Sequence, residues 1–167
     1  MDRVMVDIET LGLKPGSAIL SIGAVKFDKS GIGETFERNI SLESCKDAGL
    51  EIDPDTLEWW LSQDGDVQHV LTGGIPLTDA LEAFSQFYGN SSEIWAFSPA
   101  FDCVHLQTAY DAVGIVEPWD YYEQRDCRTL LNLPQAVEME QDGNEHDALD
   151  DAVYQARQVQ ATLENLQ

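Results

Sequence analysis

Residues 3–12 read RVMVDIETLG. Arg3 to Ile8 has the apolar character of a buried strand, yet Asp7 and Glu9 stand at its end, one residue apart. Side chains at i and i+2 of a strand share a face, so the two carboxylates stand side by side. They repel each other, and each is costly to take out of water. A divalent cation is an economical compensation, because hard cations take carboxylate oxygens. A strand that simply ends at Asp7 with both acids solvated is the plainer alternative, and D-x-E alone does not decide between the two.

Working outward, Ala18 to Phe27 (AILSIGAVKF) reads as a second strand, reached through the turn Lys14-Pro15-Gly16-Ser17. Glu34 to Ile40 alternates as a third strand, joined to the second by a D-K-S-G hairpin connection. Three strands in an antiparallel meander thus open the chain. Helical spacing follows over Pro54–Gln63 and over Leu77–Tyr88, the latter with Thr78 as its expected N-cap. Glu93–Phe97 is a short strand. Ser98-Pro99 then suits the start of a helix reaching Val113, with Gly114 ending it. A fifth strand is expected within Tyr121–Arg128, and a short helix over Thr129–Leu133 before Pro134. Glu138–Glu145 is polar and reads as a mobile loop, and a last helix runs from Ala148 to Leu163. The expected class is α/β: a mixed five-stranded sheet, meander plus parallel strands, flanked by helices. At 167 residues the chain is expected to form a single domain, 1–167.

Composition narrows the function. A hydrophobic fraction of 43% with four Trp argues for a folded globule. No stretch reaches the roughly 18 apolar residues that span a membrane. No basic segment followed by an apolar one opens the chain, and Cys45, Cys103 and Cys127 are odd in number and lack a CxxC spacing. The expectation is an intracellular, cytoplasmic protein with reduced thiols. Against 31 acids stand 9 Lys and Arg, a net charge of −22. That argues against a protein that coats duplex DNA through its phosphates.

Two further acidic segments join the first. In FSPAFD, Asp102 falls in the first turn of its helix, where the dipole favours a carboxylate. In HDALDDAVYQA, Asp147 is a natural N-cap, and Asp150 and Asp151 lie on opposite flanks of the buried stripe. The helical wheel does not choose between them. His146 precedes the cap, on the loop, where a general base beside an acidic cluster would be placed.

Taken in order, Asp7-Ile8-Glu9-Thr10-Leu11-Gly12, Ser98-Pro99-Ala100-Phe101-Asp102 and His146 to Asp151 resemble the three motifs of the DEDD 3′–5′ exonucleases, D-x-E-T-x-G, [NS]-x-x-F-D and H-x(4)-D. The family has a ribonuclease-H-like fold, and the His assigns the resemblance to its DEDDh branch. DIETLG, TLEWWLSQ and HDALDDAVYQA are most similar to the compact RNase AS and phage DexA-like exonucleases.

The resemblance implies two divalent ions, Mg2+ or Mn2+, roughly 4 Å apart. Asp7, Glu9 and Asp151 would hold one, and Asp7 with Asp102 the other. Asp151 is preferred to Asp150 on the motif's spacing alone. His146 would deprotonate the attacking water. Thr10 and Leu11 would meet the terminal 3′-hydroxyl through their backbone, Leu11 would wedge against the terminal base, and Gly12 would permit close approach. Single-stranded 3′ ends are implied as substrate, RNA more than DNA, and a homodimer is plausible from the wider family.

Trp59 and Trp60 could stack on a base, although adjacent Trp on a helix usually pack. Arg125 and Arg128 are candidate phosphate contacts or structural ion-pair partners. His105 reads as a packed residue. The rival readings are a 3′–5′ exodeoxyribonuclease of the proofreading or repair type, an acidic DNA mimic without catalysis, and a degenerate family member acting as an interaction module.

Overall fold

The computed structural model describes residues 1–63, 71–141 and 146–166. Strands β1 (Arg3–Thr10), β2 (Ile19–Asp28) and β3 (Gly31–Asn39) form the expected meander. Helices α1 (Leu42–Asp47), α2 (Pro54–Ser62) and α3 (Leu77–Tyr88) follow. Then come β4 (Glu93–Ala96), α4 (Asp102–Val113), β5 (Gln124–Asp126), α5 (Cys127–Leu131) and α6 (Ala148–Asn165). The five strands lie in the order β3-β2-β1-β4-β5. β1 is antiparallel to β2 and parallel to β4, and β4 is parallel to β5.

Alternation along β1 separates the two faces of the sheet. Val4, Val6 and Ile8 pack into a large core with residues of α3 and α4. Met5 packs on the opposite face with Ala152, Ala156 and Val159 of α6. Asp7 and Glu9 continue the Met5 face by the same period of two. The acids therefore lie on the side that α6 covers. Gly23, paired with Asp7 in the sheet, makes room for this helix. A Cβ at Gly23 would stand against the backbone of Ala148 and Leu149. All three cysteines are buried and free.

Several boundaries differ from those expected. Helix α3 has Pro76 at its cap position, and Thr78 lies inside it; the orphan N–H of Leu77 is taken by the Ser44 hydroxyl at 2.9 Å. Ser44 sits on α1, a six-residue helix whose pattern is too short to show periodicity. Helix α4 starts at Asp102 rather than Ser98, because Ser98–Phe101 form a turn in which the Ser98 carbonyl accepts from the N–H groups of Phe101 and Asp102. The fifth strand is three residues long, preceded by a 3-10 turn over Tyr121–Glu123. Asp126 caps α5 by accepting from Thr129 N–H at 2.9 Å, so that helix begins at Cys127 and ends at Leu131. Helix α6 continues to Asn165. Of the polar stretch Glu138–Glu145, residues 142–145 lie outside the described residues, as does His69, which shows no partner pattern in the sequence.

Candidate active site

Three elements converge at the end of β1. The strand supplies Asp7 and Glu9, the start of α4 supplies Asp102, and the start of α6 supplies Asp151. Carboxylate oxygens of Asp7, Glu9 and Asp151 lie within 4.8 Å of one another. Helix α6 can deliver Asp151 there because its N-terminus rests on the bare backbone of Gly23. Asp147 fixes that N-terminus, accepting from the N–H groups of Leu149 at 3.1 Å and Asp150 at 3.0 Å. Asp102 is buried, and its carboxylate accepts from the Ser98 N–H at 3.4 Å.

The electrostatics record how crowded these groups are. Burial, then the charge of Asp102, holds Asp7 well above the usual carboxylate range. Burial, with the charges of Asp151 and Asp102, pushes Glu9 up to about 8. Burial raises Asp102 to about 7, against hydrogen bonds from backbone N–H groups and the Arg128 charge. Burial also raises Asp151, opposed by a hydrogen bond from the Gln141 side chain and by the nearby His146. Without a counter-cation Glu9, at about 8, and Asp102, at about 7, partly retain protons at neutral pH. A hard cation would replace those protons, and the donor set, all carboxylate oxygen, suits Mg2+ or Mn2+. Gln155 adds an independent sign. Its Nε2 donates to Asp7 Oδ1 at 2.8 Å, while its buried Oε1 has no hydrogen-bond partner. The hydration of a cation would supply the donor that Oε1 lacks.

His146 has a φ of 66°, the left-handed region, at the residue before the cap of α6. Its ring meets Trp59 edge-on at 5.0 Å and Trp60 at 6.1 Å. Trp59 is 42% exposed, whereas Trp60 is 4% exposed and donates from Nε1 to the Thr10 carbonyl at 3.0 Å. A cleft of about 750 Å³ opens beside Glu9, lined by Leu13, Lys14, Trp59, Trp60 and Phe101.

The remaining expected substrate contacts are differently placed. Leu11 is fully buried in the core, so its side chain is no wedge. Its N–H donates to Ala18 and its carbonyl accepts from Asp53 N–H. Gly12 is required internally: a Cβ there would collide with the Ser17 side chain and lie 3.2 Å from Asp53 Cβ. Leu13, 78% exposed, lines the cleft instead. Arg125 is committed to Glu93 Oε1 at 3.5 Å, while Arg128 donates to Ser98 Oγ at 2.7 Å and lies over the Phe97 ring. Gln155 escaped the sequence reading. The signal was there, a polar residue four positions after Asp151 on the same helix face.

The fold is ribonuclease-H-like, and the family match makes the protein a metal-dependent 3′–5′ exonuclease, a hydrolase of phosphodiester bonds. The family model for the Rv2179c-like 3′-5′ exoribonuclease domain matches residues 2–163, and the chain belongs to this family. Among solved structures it is similar to the nuclease domain of 3′hExo, a DEDDh family member bound to rAMP. The TM-score is 0.69 at 13% identity, over 98% of this chain and 92% of that one. It is also similar to Exonuclease X in complex with 5′ overhanging duplex DNA. There the TM-score is 0.62 at 16% identity, over 97% of this chain and 92% of the other. Comparison with curated proteins gives no significant match. Among the described residues no helix is long and apolar enough to cross a membrane.

Proposed function

We propose that this protein removes nucleotides one at a time from single-stranded 3′ ends, RNA in preference to DNA. The convergence of Asp7, Glu9 and Asp151 within 4.8 Å, beside His146, carries the reading. The exoribonuclease description of the family supports RNA as substrate.

Asp7, Glu9 and Asp151 would hold one divalent ion, and Asp7 with Asp102 a second. Mg2+ or Mn2+ so bound would supply Lewis-acid activation of water and stabilise charge on the leaving 3′-oxygen. The side chains of this protein do the rest. His146 accepts the proton of the attacking water, on a left-handed backbone position and against the edges of two Trp rings that hold its imidazole. The cleft beside Glu9 receives the terminal nucleotide. Leu13, rather than Leu11, borders its base, and exposed Trp59 offers a stacking face. Trp60 serves as a fixed wall, its N–H spent on Thr10. Arg128, whose charge is felt at Asp102, contacts a phosphate of the strand, a role for which Arg125 is less free.

Digestion of 3′- and 5′-labelled single-stranded RNA and matched DNA, in Mg2+, Mn2+ or EDTA, tests this. Mononucleotides should leave the 3′ end only with metal, faster from RNA, and not in Asp7→Ala or His146→Ala. No cleavage of either polymer in any metal would overturn the reading and favour an acidic interaction protein. Equal or faster release from DNA would favour the exodeoxyribonuclease alternative.

A further inference from the structure

Gln155 lies one helical turn after Asp151 on α6, and it is 8% exposed. Such burial of a long amide is costly unless both ends are bonded. One end is bonded, Nε2 to Asp7 Oδ1 at 2.8 Å across 148 residues of chain. The other, Oε1, is buried without a partner. An isolated structural glutamine would leave a penalty of this kind unrecovered. The donated bond does two things. It fixes the rotation of the Asp7 carboxylate, and it engages Oδ1, leaving Oδ2 with fewer claims upon it.

Resting on the metal reading above, we propose that Gln155 is the positioning residue of the metal centre: it locks Asp7 for the cation and offers Oε1 to the hydrated ion. Partners that orient a ligand in this way typically control metal affinity by roughly 10–100-fold. The same helix thus contributes a ligand, Asp151, and the group that aims a second ligand on β1. Sliding or tilting α6 would alter both together.

The test uses Gln155→Met, which keeps the volume and loses the bonds, and Gln155→Asn, which keeps the amide and loses the reach. Mn2+ affinity is measured without nucleic acid, by calorimetry and by the rise in melting temperature on adding metal. Gln158→Met is the control, since Gln158 bonds Tyr154 on the outer part of the same helix. Both Gln155 variants should bind Mn2+ roughly 10–100-fold more weakly, with the control unchanged. Their kcat on RNA should recover as Mn2+ is raised, with KM for RNA near the parent's. Unchanged metal affinity in a folded variant would overturn the proposal. So would failure of both variants to fold even in Mn2+, which would assign Gln155 to packing alone. If the parent itself bound no Mn2+, the metal reading would fall first, so the two failures are distinguishable.

Discussion

Asp150 and Asp151 are neighbours of the same type, and it is Asp151 whose carboxylate oxygen lies within 4.8 Å of those of Asp7 and Glu9. Asp151→Asn should abolish metal-dependent cleavage, while Asp150→Asn leaves it near the parent's; the reverse pattern would move the ligand assignment by one residue. His146→Ala should lower kcat by about 10²–10⁴, the usual contribution of a positioned base, with little change in Mn2+ binding. Trp60 makes a different kind of contribution. Trp60→Phe removes the donor to Thr10 and should cost about 1 kcal/mol in urea unfolding. At this scale the grouping of Asp7, Glu9 and Asp151 was legible, because acids at a strand end and a helix start are residue types that hold a cation. The direction of Leu11 was not. Whether a residue after a strand faces a cleft or the core depends on how the chain turns at Leu11–Gly12. That turn is set by Ala18, Ser17 and Asp53, which are distant in the local pattern.

At the scale of elements, the meander was legible because β1, β2 and β3 each carry their own alternation and turns. The parallel addition of β4 and β5 was only expected from the alternation of element types, and β5 is too short to mark itself. The cap of α3 was hidden for another reason: its donor's partner, Ser44, is 33 residues away. The contact of Gly23 with the start of α6 was likewise invisible, since nothing in IGAV announces that a helix will lie on it. It has a measurable consequence. Gly23→Ala places a methyl against the Ala148 carbonyl and Leu149 nitrogen, so α6 must move away from β2. That should cost about 1–3 kcal/mol of stability, the usual range for overpacking. Because α6 carries Asp151 and Gln155, it should also weaken Mn2+ binding. A variant that loses stability but keeps the parent's metal affinity would show that the helix start adjusts without disturbing the site.

Over the whole molecule, proton and metal binding are linked to folding. Glu9 titrates near 4.5 when unfolded and at about 8 in the metal-free fold, and Asp102 at about 7. Between those values the fold binds more protons than the unfolded chain, so its stability is greatest at low pH and falls as pH rises. Metal-free protein should therefore melt at a higher temperature at about pH 5.5 than at about pH 8. Saturating Mg2+ should raise the value most at the higher pH, where it displaces fewer protons. The wider negative charge contributes in the same direction, so Glu9→Gln serves to isolate the site's share: it should flatten the pH dependence and shrink the Mg2+ effect.

Net charge also bears on how the substrate arrives. With −22 on the chain, the nucleic-acid strand proposed as substrate would be repelled until it reached the acidic site, where a bound cation and Arg128 would supply positive charge. A nuclease that tracks its substrate through many Lys and Arg loses affinity steeply as salt is added, through counterion release. Here the cations near the site are few, Arg128 beside Ser98 and Lys14 on the cleft wall. Arg3, Lys26 and Arg125 are already paired with Glu93, Glu34 and Glu93 respectively. Added salt therefore screens repulsion more than it competes with contacts, the Debye length falling from roughly 30 Å at 0.01 M to about 8 Å at 0.15 M. At saturating Mg2+, kcat/KM on single-stranded RNA should rise across that range, chiefly through KM. Arg128→Gln should lower kcat/KM at every ionic strength and steepen the rise, because it removes a local attraction and leaves the repulsion in place. A steep fall in kcat/KM with salt would instead require a cationic track that the charge distribution does not provide.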